Sequence, residues 1–303
     1  MKKENVIITG ALGQDGILLT KILQDTRKFN VIGIHTKKKK IKNIFKINLL
    51  DNLVVKNFLI KYNPKFIFHF AAKNFSNNKK KKLIFKRDYF YNLKISMNII
   101  DAIISLNLKT KFFFAASSQM YSGLRNQTIN ESTRFFPVNF YAKYKTDVHK
   151  YFICLKKKKK IDGSTIIFFN HDSCYRSEKF LIRRLIKYFV NKKTLLINRI
   201  YKSNIVHDYS HAQDFCYAIY KLMLKKKLPD KIILSSFSKI YVNDIITYLN
   251  KYFNLNLFLN DETNNKYQII LGDNSFARKF IKYQPKLNIY YLINELIEKE
   301  LKI

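Results

Sequence analysis

Apolar runs and helical spacings alternate along the first half of the chain. Five apolar runs have the length of buried strands, and four stretches with apolar residues three or four apart have the period of helices. The expected strands cover residues 6–9, 31–34, 66–72 and 112–116, and a further strand with the turn after it covers 44–51. The expected helices begin at 17 or cover 54–62, 92–106 and 138–155. Alternation of this kind predicts an α/β fold, a doubly wound parallel sheet of about seven strands with helices on both faces.

The turn after the first strand carries the first sign of function. Three of the seven glycines, Gly10, Gly13 and Gly16, stand between the strand 6–9 and the helix that begins at 17. Glycine lets a backbone pass close to a pyrophosphate, and a helix start offers free N–H groups and a positive dipole end to phosphates. The turn therefore predicts a dinucleotide site, with a glycine turn that holds no ligand as the alternative.

The end of the second strand indicates which dinucleotide fits. An acidic side chain there would accept a hydrogen bond from a free ribose 2′-hydroxyl, but the sequence offers His35, Lys37 and Lys38. Cations of this kind suit a 2′-phosphate. We therefore expect NADP, with NAD possible if the lysines only reflect the composition of the chain.

A tyrosine and a lysine one helical turn apart provide candidate acid–base chemistry. Tyr141 and Lys145 share a face of the helix 138–155, and Ser117 follows the strand 112–116 at the sheet edge where ligands bind. A lysine ammonium beside the phenol would lower the tyrosine pKa. The three residues predict removal of a proton from a sugar or alcohol hydroxyl while hydride passes to nicotinamide.

Charge and cysteine content narrow the classes of partner. The formal net charge is +36, but the excess lies in lysine runs at 37–40, 79–82 and 156–160 in a chain rich in Lys, Ile, Asn, Phe and Tyr. We interpret this as a composition-driven, solvated surface in preference to a nucleic-acid groove, and the alternative is a surface that binds RNA weakly through its phosphates. The three cysteines lie far apart and lack metal-ligand spacing, so we expect reduced thiols, no bound metal and a cytoplasmic protein. The chain has no apolar run long enough for a membrane span, so none is expected.

Several motifs together resemble the extended short-chain dehydrogenase/reductase family of nucleotide-sugar enzymes. They are the glycine turn, the segment 68–72, the helix from Asn92, Ser117 and the pair Tyr141 and Lys145. Three stretches look most like its GDP-mannose 4,6-dehydratases: TGALGQDG at 9–16, FNHDS at 169–173 with RSEKF at 176–180, and HDYSHAQDF at 207–215. The resemblance spans nearly the whole chain and implies a Rossmann-type sheet with a smaller C-terminal α/β substrate domain.

The resemblance also implies how the chain divides and assembles. Residues 1–168 with about 198–226 are expected to form the NADP-binding domain, and residues 169–197 with 227–303 the substrate-binding domain. Helices 92–106 and 138–155 are expected to form a four-helix bundle between two copies, giving a homodimer or a homotetramer.

Residue by residue, the resemblance implies a set of roles. Tyr141 is the base, Lys145 its partner and ribose ligand, and Ser117 the polarising hydroxyl for a nucleotide-diphosphate sugar. The remaining cofactor ligands are expected to be Gly10, Gly13, Gln14, Asp15, Gly16, Lys37, Asn48, Leu49, Ala71, Ala72, His171 and Arg176, and the remaining substrate ligands Asn74, Asn170 and His207.

Two residues depart from the family pattern. Gln119 stands where the family has a glutamate that moves the C5 proton and assists loss of the 6-hydroxyl, and a carboxamide cannot carry that proton. His207 replaces an arginine that clamps the nucleotide diphosphate. Three hypotheses follow in order: a dehydratase that converts GDP-mannose to GDP-4-keto-6-deoxymannose; a 4-epimerase or 4-keto reductase of the same fold; and a non-catalytic cofactor- or RNA-binding protein.

Overall fold

The computed structural model describes residues 3–36, 41–73, 82–203, 205–257, 259 and 269–302. Its strands are β1 Glu4–Thr9, β2 Phe29–His35, β3 Ile44–Lys46, β4 Phe66–His69, β5 Lys111–Ser117, β6 Gln127–Ile129, β7 Asp162–Phe168, β8 Asn170–Asp172, β9 Val206–His211, β10 Lys231–Leu234, β11 Lys239–Tyr241 and β12 Ile270–Gly272. Its helices are α1 Gln14–Asp25, α2 Asn52–Tyr62, α3 Lys82–Ser105, α4 Phe140–Lys157, α5 Leu181–Val190, α6 Thr194–Tyr201, α7 Ala212–Met223, α8 Val242–Phe253, α9 Ser275–Ile281 and α10 Ile289–Leu301.

Seven strands form one parallel sheet, which confirms the predicted fold class. Their order is β10-β7-β5-β4-β1-β2-β3, and every neighbouring pair is parallel. The chain builds outwards from β1 to one side and then returns to build the other side from β4. Ligands of open α/β sheets bind beyond the carboxyl ends of the strands at such a reversal.

Side chains of the sheet alternate between two cores. Ile7 and Phe112 face the layer of α2, α3 and α4, whereas Val6, Ile8 and Phe113 face the layer of α1 and α7. The alternation follows from the two-residue period of a strand. Because both faces are covered by helices, the strands read as nearly continuous apolar runs rather than as alternating ones.

A third core lies in the C-terminal part of the chain. It is formed by apolar residues of α5, α6, α8 and α10 with Tyr209 of β9. Strands β8, β9 and β11 form a three-stranded sheet beside it. This grouping agrees with a smaller α/β unit, and the full division into two domains stays a prediction.

Two strands lie on the other side of the predicted domain boundary. β10 pairs with β7 in the large sheet, although residues 227–303 were expected in the smaller domain. β9 pairs with β8 and β11 in the small sheet, although residues 198–226 were expected in the larger one. The reason for the first difference is packing, since Ile232 and Ile233 are fully buried in the two cores on opposite faces of the large sheet.

Three predicted elements differ in extent. The helix expected over 92–106 begins at Lys82, and this earlier start was not predicted because the apolar and aromatic residues of 82–91 are clustered at 83–85 and 89–91 and so show no helical period in the sequence. The strand and turn expected over 44–51 are a short strand, Ile44–Lys46, and a segment that ends at Asp51, which caps α2 by accepting hydrogen bonds from the amides of Leu53 and Val54. The strand expected over 66–72 ends at His69.

Three elements meet at the buried His69 side chain. Its Nδ1 lies 2.7 Å from Thr9 Oγ1 in β1, and its Nε2 lies 2.9 Å from Ser96 Oγ in α3. Ser96 donates its own proton to the Asn92 carbonyl, so it accepts from Nε2–H, and Nδ1 accepts from the Thr9 hydroxyl. The Ala71 amide completes the chain by donating to Thr9 Oγ1 over 3.1 Å. The network therefore assigns a neutral ring with its proton on Nε2.

Acid is expected to destabilise the protein through this ring. Burial, and then the charge of Lys145, lower the His69 pKa from 6.5 to about 3, so between these values the folded protein binds fewer protons than the unfolded chain. The stabilisation is complete above pH 6.5 and is lost as the pH falls towards 3, by up to about 1.4 kcal/mol per pH unit. We expect H69N to show a shallower fall of the free energy of unfolding with pH, measured in urea.

The matched control is H35N. His35 is a partly exposed histidine at the end of β2, outside the Thr9–His69–Ser96 network, and its replacement should leave the pH slope unchanged. The same slope in H69N and in the unaltered protein would contradict the assignment.

Candidate active site

Three cavities follow one another along the carboxyl edge of the large sheet. The outer cavity, about 680 Å³, lies beside His35; the central cavity, about 480 Å³, lies beside Lys145; and the inner cavity, about 590 Å³, lies beside Gln119. Gly10 lines both the outer and the central cavity, and Tyr141 lines both the central and the inner one. The three cavities therefore form one continuous groove.

The glycine turn is built as the sequence predicts. Gly10 has φ +74°, and a Cβ on it would lie 2.9 Å from the Ala71 nitrogen. A Cβ on Gly16 would lie 2.5 Å from the Gly10 carbonyl oxygen, whereas one on Gly13 would meet that oxygen at 3.2 Å and otherwise enter open space. α1 begins at Gln14, and Gly13 has no side chain to occupy its first N–H groups. These features fit the pyrophosphate of a dinucleotide.

The first turn of α1 is bound to β8 by side chains. Gln14 donates from Nε2 to the His171 carbonyl over 3.2 Å and accepts at Oε1 from the Ser173 hydroxyl over 3.0 Å. Asp15 Oδ1 lies 3.0 Å from His171 Nε2, and His171 Nδ1 lies 2.8 Å from the Phe169 carbonyl oxygen. Each ring nitrogen of His171 thus lies within hydrogen-bond distance of an oxygen atom.

Two of the motifs that carry the family resemblance therefore contact each other directly. Burial has the largest single effect and raises the Asp15 pKa, but the charge and hydrogen bond of His171, the charge of Arg176 and the hydrogen bond from Gln14 together bring the net pKa below its ordinary value. Gln14, Asp15 and His171 all line the central cavity, where they were expected as cofactor ligands. Much of their hydrogen-bonding capacity serves to join α1 to β8.

Ser117, Tyr141 and Lys145 come together between the central and inner cavities. Asn139 caps α4 by accepting a backbone hydrogen bond, which fixes the first turn that carries Tyr141. The Ser117 and Tyr141 hydroxyls are hydrogen-bonded, and the Lys145 ammonium donates to the Ala115 carbonyl of β5. The structure thus joins the three residues that the sequence singled out for proton transfer.

The lysine does not lower the tyrosine pKa in this structure, contrary to the expectation. Burial raises the Tyr141 pKa to about 12, against smaller lowering effects of Arg176 and Ser117. Burial also lowers the Lys145 pKa to about 7, although Asp15 opposes the shift. The physical reason is desolvation, which has the largest effect on both pKa values, with Lys145 buried and Tyr141 partly buried between two cavities.

The inner cavity offers little free acid. Gln119 lines it from a short 3-10 helix over Ser118–Tyr121, and among its described lining residues Asp172 is the one carboxylate. Asp172 is buried, lies 2.7 Å from Arg176 and accepts a hydrogen bond from the Tyr209 hydroxyl over 2.9 Å. Burial raises its pKa, opposed by Arg176 and Tyr209. The carboxylate is therefore engaged in holding Arg176.

The other predicted site residues divide between the cavities. Burial lowers the His207 pKa, which favours a neutral ring at the inner cavity where an arginine was expected. Asn170 lines the inner and central cavities, as does Arg176, whose guanidinium lies 3.4 Å from the Phe180 ring centre. Asn48, Leu49, Ala71 and Ala72 line the outer cavity, and Lys37 and Asn74 lie outside the described residues.

Sequence reasoning missed the aromatic lining of the inner cavity. Phe85, Phe140 and Phe180 contribute to it from three different elements. With 26 phenylalanines in the chain, nothing marks these three. Asp172 and Tyr209 are different, because both lie inside motifs that carry the resemblance.

Two searches cover only the part of the chain that the structure describes. Within it, no group of three or more His, Cys, Asp or Glu side chains could hold a metal ion. No helix there is both long and apolar enough to cross a membrane.

Comparison with known families decides the relationship. A family model described as GDP-mannose 4,6 dehydratase matches residues 7–296. The chain belongs to the GDP-mannose 4,6-dehydratase family. It is 23% identical to GDP-mannose 4,6 dehydratase 1 of Arabidopsis thaliana, over 98% of this chain and 90% of that one. It is also 23% identical to the GDP-mannose 4,6-dehydratase of Vibrio cholerae serotype O1, over 100% and 95% of the two chains.

Solved structures with this fold include nucleotide-sugar enzymes. The UDP-glucose 4-epimerase of Thermotoga maritima with UDP-glucose matches with a TM-score of 0.80 at 15% identity, over 98% of this chain and 99% of that one. MoeE5 in complex with UDP-glucuronic acid and NAD matches with a TM-score of 0.82 at 15% identity, over the same shares. This member of the GDP-mannose 4,6-dehydratase family is thus an enzyme of the nucleotide-sugar dehydratase and epimerase group with an NAD(P)-type fold.

Two glycine substitutions should separate ligand binding from stability. G13A places its methyl group in the groove and should weaken NADP binding roughly tenfold, about 1.4 kcal/mol, with little change in melting temperature. G16A places its methyl against the Gly10 carbonyl and should cost about 1–3 kcal/mol of stability as well. Thermal unfolding with and without NADP measures both effects. Equal loss of stability in the two variants would contradict the described geometry.

Proposed function

We propose that this protein is an NADP-dependent lyase that converts GDP-mannose to GDP-4-keto-6-deoxymannose. The observation that carries the proposal is the meeting of Ser117, Tyr141 and Lys145 where the central cavity joins the inner one. The match to the GDP-mannose 4,6 dehydratase model over residues 7–296 supports the substrate class.

The groove provides for a nicotinamide cofactor and a nucleotide sugar end to end. The cofactor supplies a hydride acceptor and donor. The glycine turn and the start of α1 would hold its pyrophosphate, and Asn48 and Leu49 would border its adenosine in the outer cavity. Arg176 lines the central and inner cavities and is held by Asp172, so it is placed to contact phosphate from either ligand.

Tyr141 is the proposed base for the sugar 4-hydroxyl, and Ser117 is the proposed hydrogen-bond partner of the same oxygen. With a Tyr141 pKa of about 12, only about one site in 10⁵ holds the phenolate at pH 7. Below a pKa of about 12 the phenolate fraction rises about tenfold per pH unit, so the oxidation rate is expected to rise with pH. Lys145, whose pKa is about 7, loses its positive charge as the pH rises through neutrality, and this loss should make the rise shallower.

Gln119 sets the rate of the second half of the reaction. Dehydration needs a group that removes the C5 proton and returns one to the departing 6-hydroxyl, and a carboxamide does neither. Loss of one general acid–base group commonly costs about 10²–10⁴ in rate. We therefore propose a slow dehydratase.

A second candidate function is favoured by the same residue. A 4-epimerase or 4-keto reductase needs the Tyr141 and Lys145 couple but no carboxylate at position 119. The occurrence of 4-epimerases among the structures with this fold is in keeping with this alternative.

Product mass distinguishes the two candidates. Incubation with NADP and GDP-mannose should give slow loss of one water, and Q119E should accelerate the loss by about 10² or more because it adds the missing carboxylate. Q127E is the matched control, since Gln127 is exposed on β6 and lines none of the three cavities. Y141F should abolish turnover in both backgrounds.

One outcome would contradict the dehydratase, and another would contradict the rate-limiting role given to Gln119. Unchanged mass with inversion at C4 in sugar-ring NMR would establish the epimerase alternative for this substrate. A dehydration rate in the unaltered protein equal to that of Q119E would mean that another group carries the proton.

NADP preference is proposed from the charge of the outer cavity. Lys46 lines this cavity beside His35 and Thr36, and none of its described lining residues is acidic. K46A should weaken NADP binding roughly three- to tenfold, about 1 kcal/mol, and leave NAD binding unchanged. K42A is the control, because Lys42 is exposed and does not line the cavity. If K46A weakened NADP binding and NAD binding equally, Lys46 would not contact the 2′-phosphate.

Assembly and location remain predictions. A homodimer or homotetramer through α3 and α4, and a cytoplasmic location, follow from the family resemblance and the composition. Sedimentation of the purified protein measures the first of these.

A further inference from the structure

Basic residues gather at the edge of the large sheet opposite the groove. They lie at or just before the starts of six parallel strands, β1, β2, β4, β5, β7 and β10, so the topology brings them to one edge. The segments are 3–4, 25–28, 61–65, 109–111, 156–162 and 225–231, and we call them the basic edge. They hold sixteen Lys and Arg residues against four Asp and Glu residues.

Hydrogen bonds join neighbouring segments of the basic edge. The Lys65 amide donates to the Asn5 carbonyl over 2.9 Å, and the Lys111 amide donates to the Lys65 carbonyl over 3.0 Å. Lys111 Nζ reaches the Lys225 carbonyl over 2.9 Å. The strip is therefore continuous across the sheet, and lysine runs that are far apart in sequence lie side by side.

The fold uses only part of this charge. Lys111 and Lys156 donate to backbone carbonyls, and Lys65 and Lys156 are paired with Glu4 and Asp230. Helices α1, α2, α3, α4 and α7 end at this edge, and each C-terminus carries about half a negative charge. That charge accounts for Lys61 in the last turn of α2, Lys156 and Lys157 in that of α4 and Lys221 in that of α7, whereas α1 and α3 have no basic residue there. Exposed cations remain beyond these uses: Lys3, Arg27, Lys28, Lys109, Lys158, Lys159, Lys160, Lys226 and Lys227.

The shape of the strip indicates the kind of partner. Six neighbouring strands at about 4.8 Å spacing give a length of about 24 Å, and the sheet twist of about 20–25° per strand winds the strip through about 100° or more. A flexible polyanion can follow such a curve, whereas a flat bilayer touches only part of it. The six segments also contain none of the exposed large apolar side chains, which peripheral membrane contacts generally use.

We propose that the basic edge binds the phosphate backbone of a nucleic-acid strand. From the sequence, the positive charge was interpreted as a consequence of composition. The fold brings part of that charge together on one surface. Because this surface lies at the amino ends of the strands and the groove at their carboxyl ends, nucleic acid and NADP should bind independently. The inference does not depend on the proposed reaction.

Fluorescence anisotropy with a labelled oligo(U) RNA tests the proposal on the full chain. We expect binding at 50 mM salt that weakens about 100-fold by 200 mM, the dependence for about five phosphate contacts on a single strand. The fivefold variant K158Q, K159Q, K160Q, K226Q and K227Q should lose at least tenfold in affinity at 50 mM salt and show a smaller salt slope. Saturating NADP should leave the affinity of the unaltered protein unchanged.

The matched control removes the same charge elsewhere. Lys192, Lys193, Lys202, Lys251 and Lys299 are exposed on the C-terminal part of the chain, and their replacement by Gln should change the affinity less than twofold. Equal losses in the two variants would overturn the proposal, because diffuse charge would then explain binding. Competition by NADP, no binding at 50 mM salt, or flotation with phosphatidylserine vesicles without RNA binding would overturn it as well.

Discussion

The attachment of the first turn of α1 to β8 holds the groove in shape. Through Gln14 and Asp15, the helix that faces the expected pyrophosphate is fixed to the strand that leads into the small sheet. The central cavity lies beside this attachment and the inner cavity beyond it. Their relative position therefore depends on a few buried polar contacts, and buried polar groups are costly to leave unpaired.

The sequence was most informative where function needs a local pattern. The glycine turn, Ser117 at a strand end, and Tyr141 one turn before Lys145 are short-range features, and the structure brings them to one groove. The large sheet was also predictable from alternating strands and helices. The position of β10 could not be predicted, because its short apolar segment does not indicate which sheet the strand joins.

Protonation in the site was the least predictable property. A lysine four residues after a tyrosine indicates a lowered tyrosine pKa only if both stay hydrated. Here Lys145 is buried against β5 and Tyr141 is partly buried, and desolvation reverses the expected shift of the Tyr141 pKa. Burial of this kind depends on distant elements, so no local pattern reports it. The same is true of Asp172. Its partner Arg176 is only four residues away in the sequence, but the burial of Asp172 depends on elements that are distant in the sequence.

The Thr9 hydroxyl gives the nucleotide groove a dependence on one hydrogen atom. It donates to His69 and at the same time accepts from the Ala71 amide, and the Ala71 nitrogen is the atom that a side chain on Gly10 would strike. If a proton occupied Nδ1 of His69 instead, the Thr9 oxygen would accept from two donors, and its own hydrogen would lose its acceptor in a buried site. The backbone at Ala71, which lines the outer cavity, is thus connected to the tautomer of a histidine that is not among the described lining residues of the three cavities.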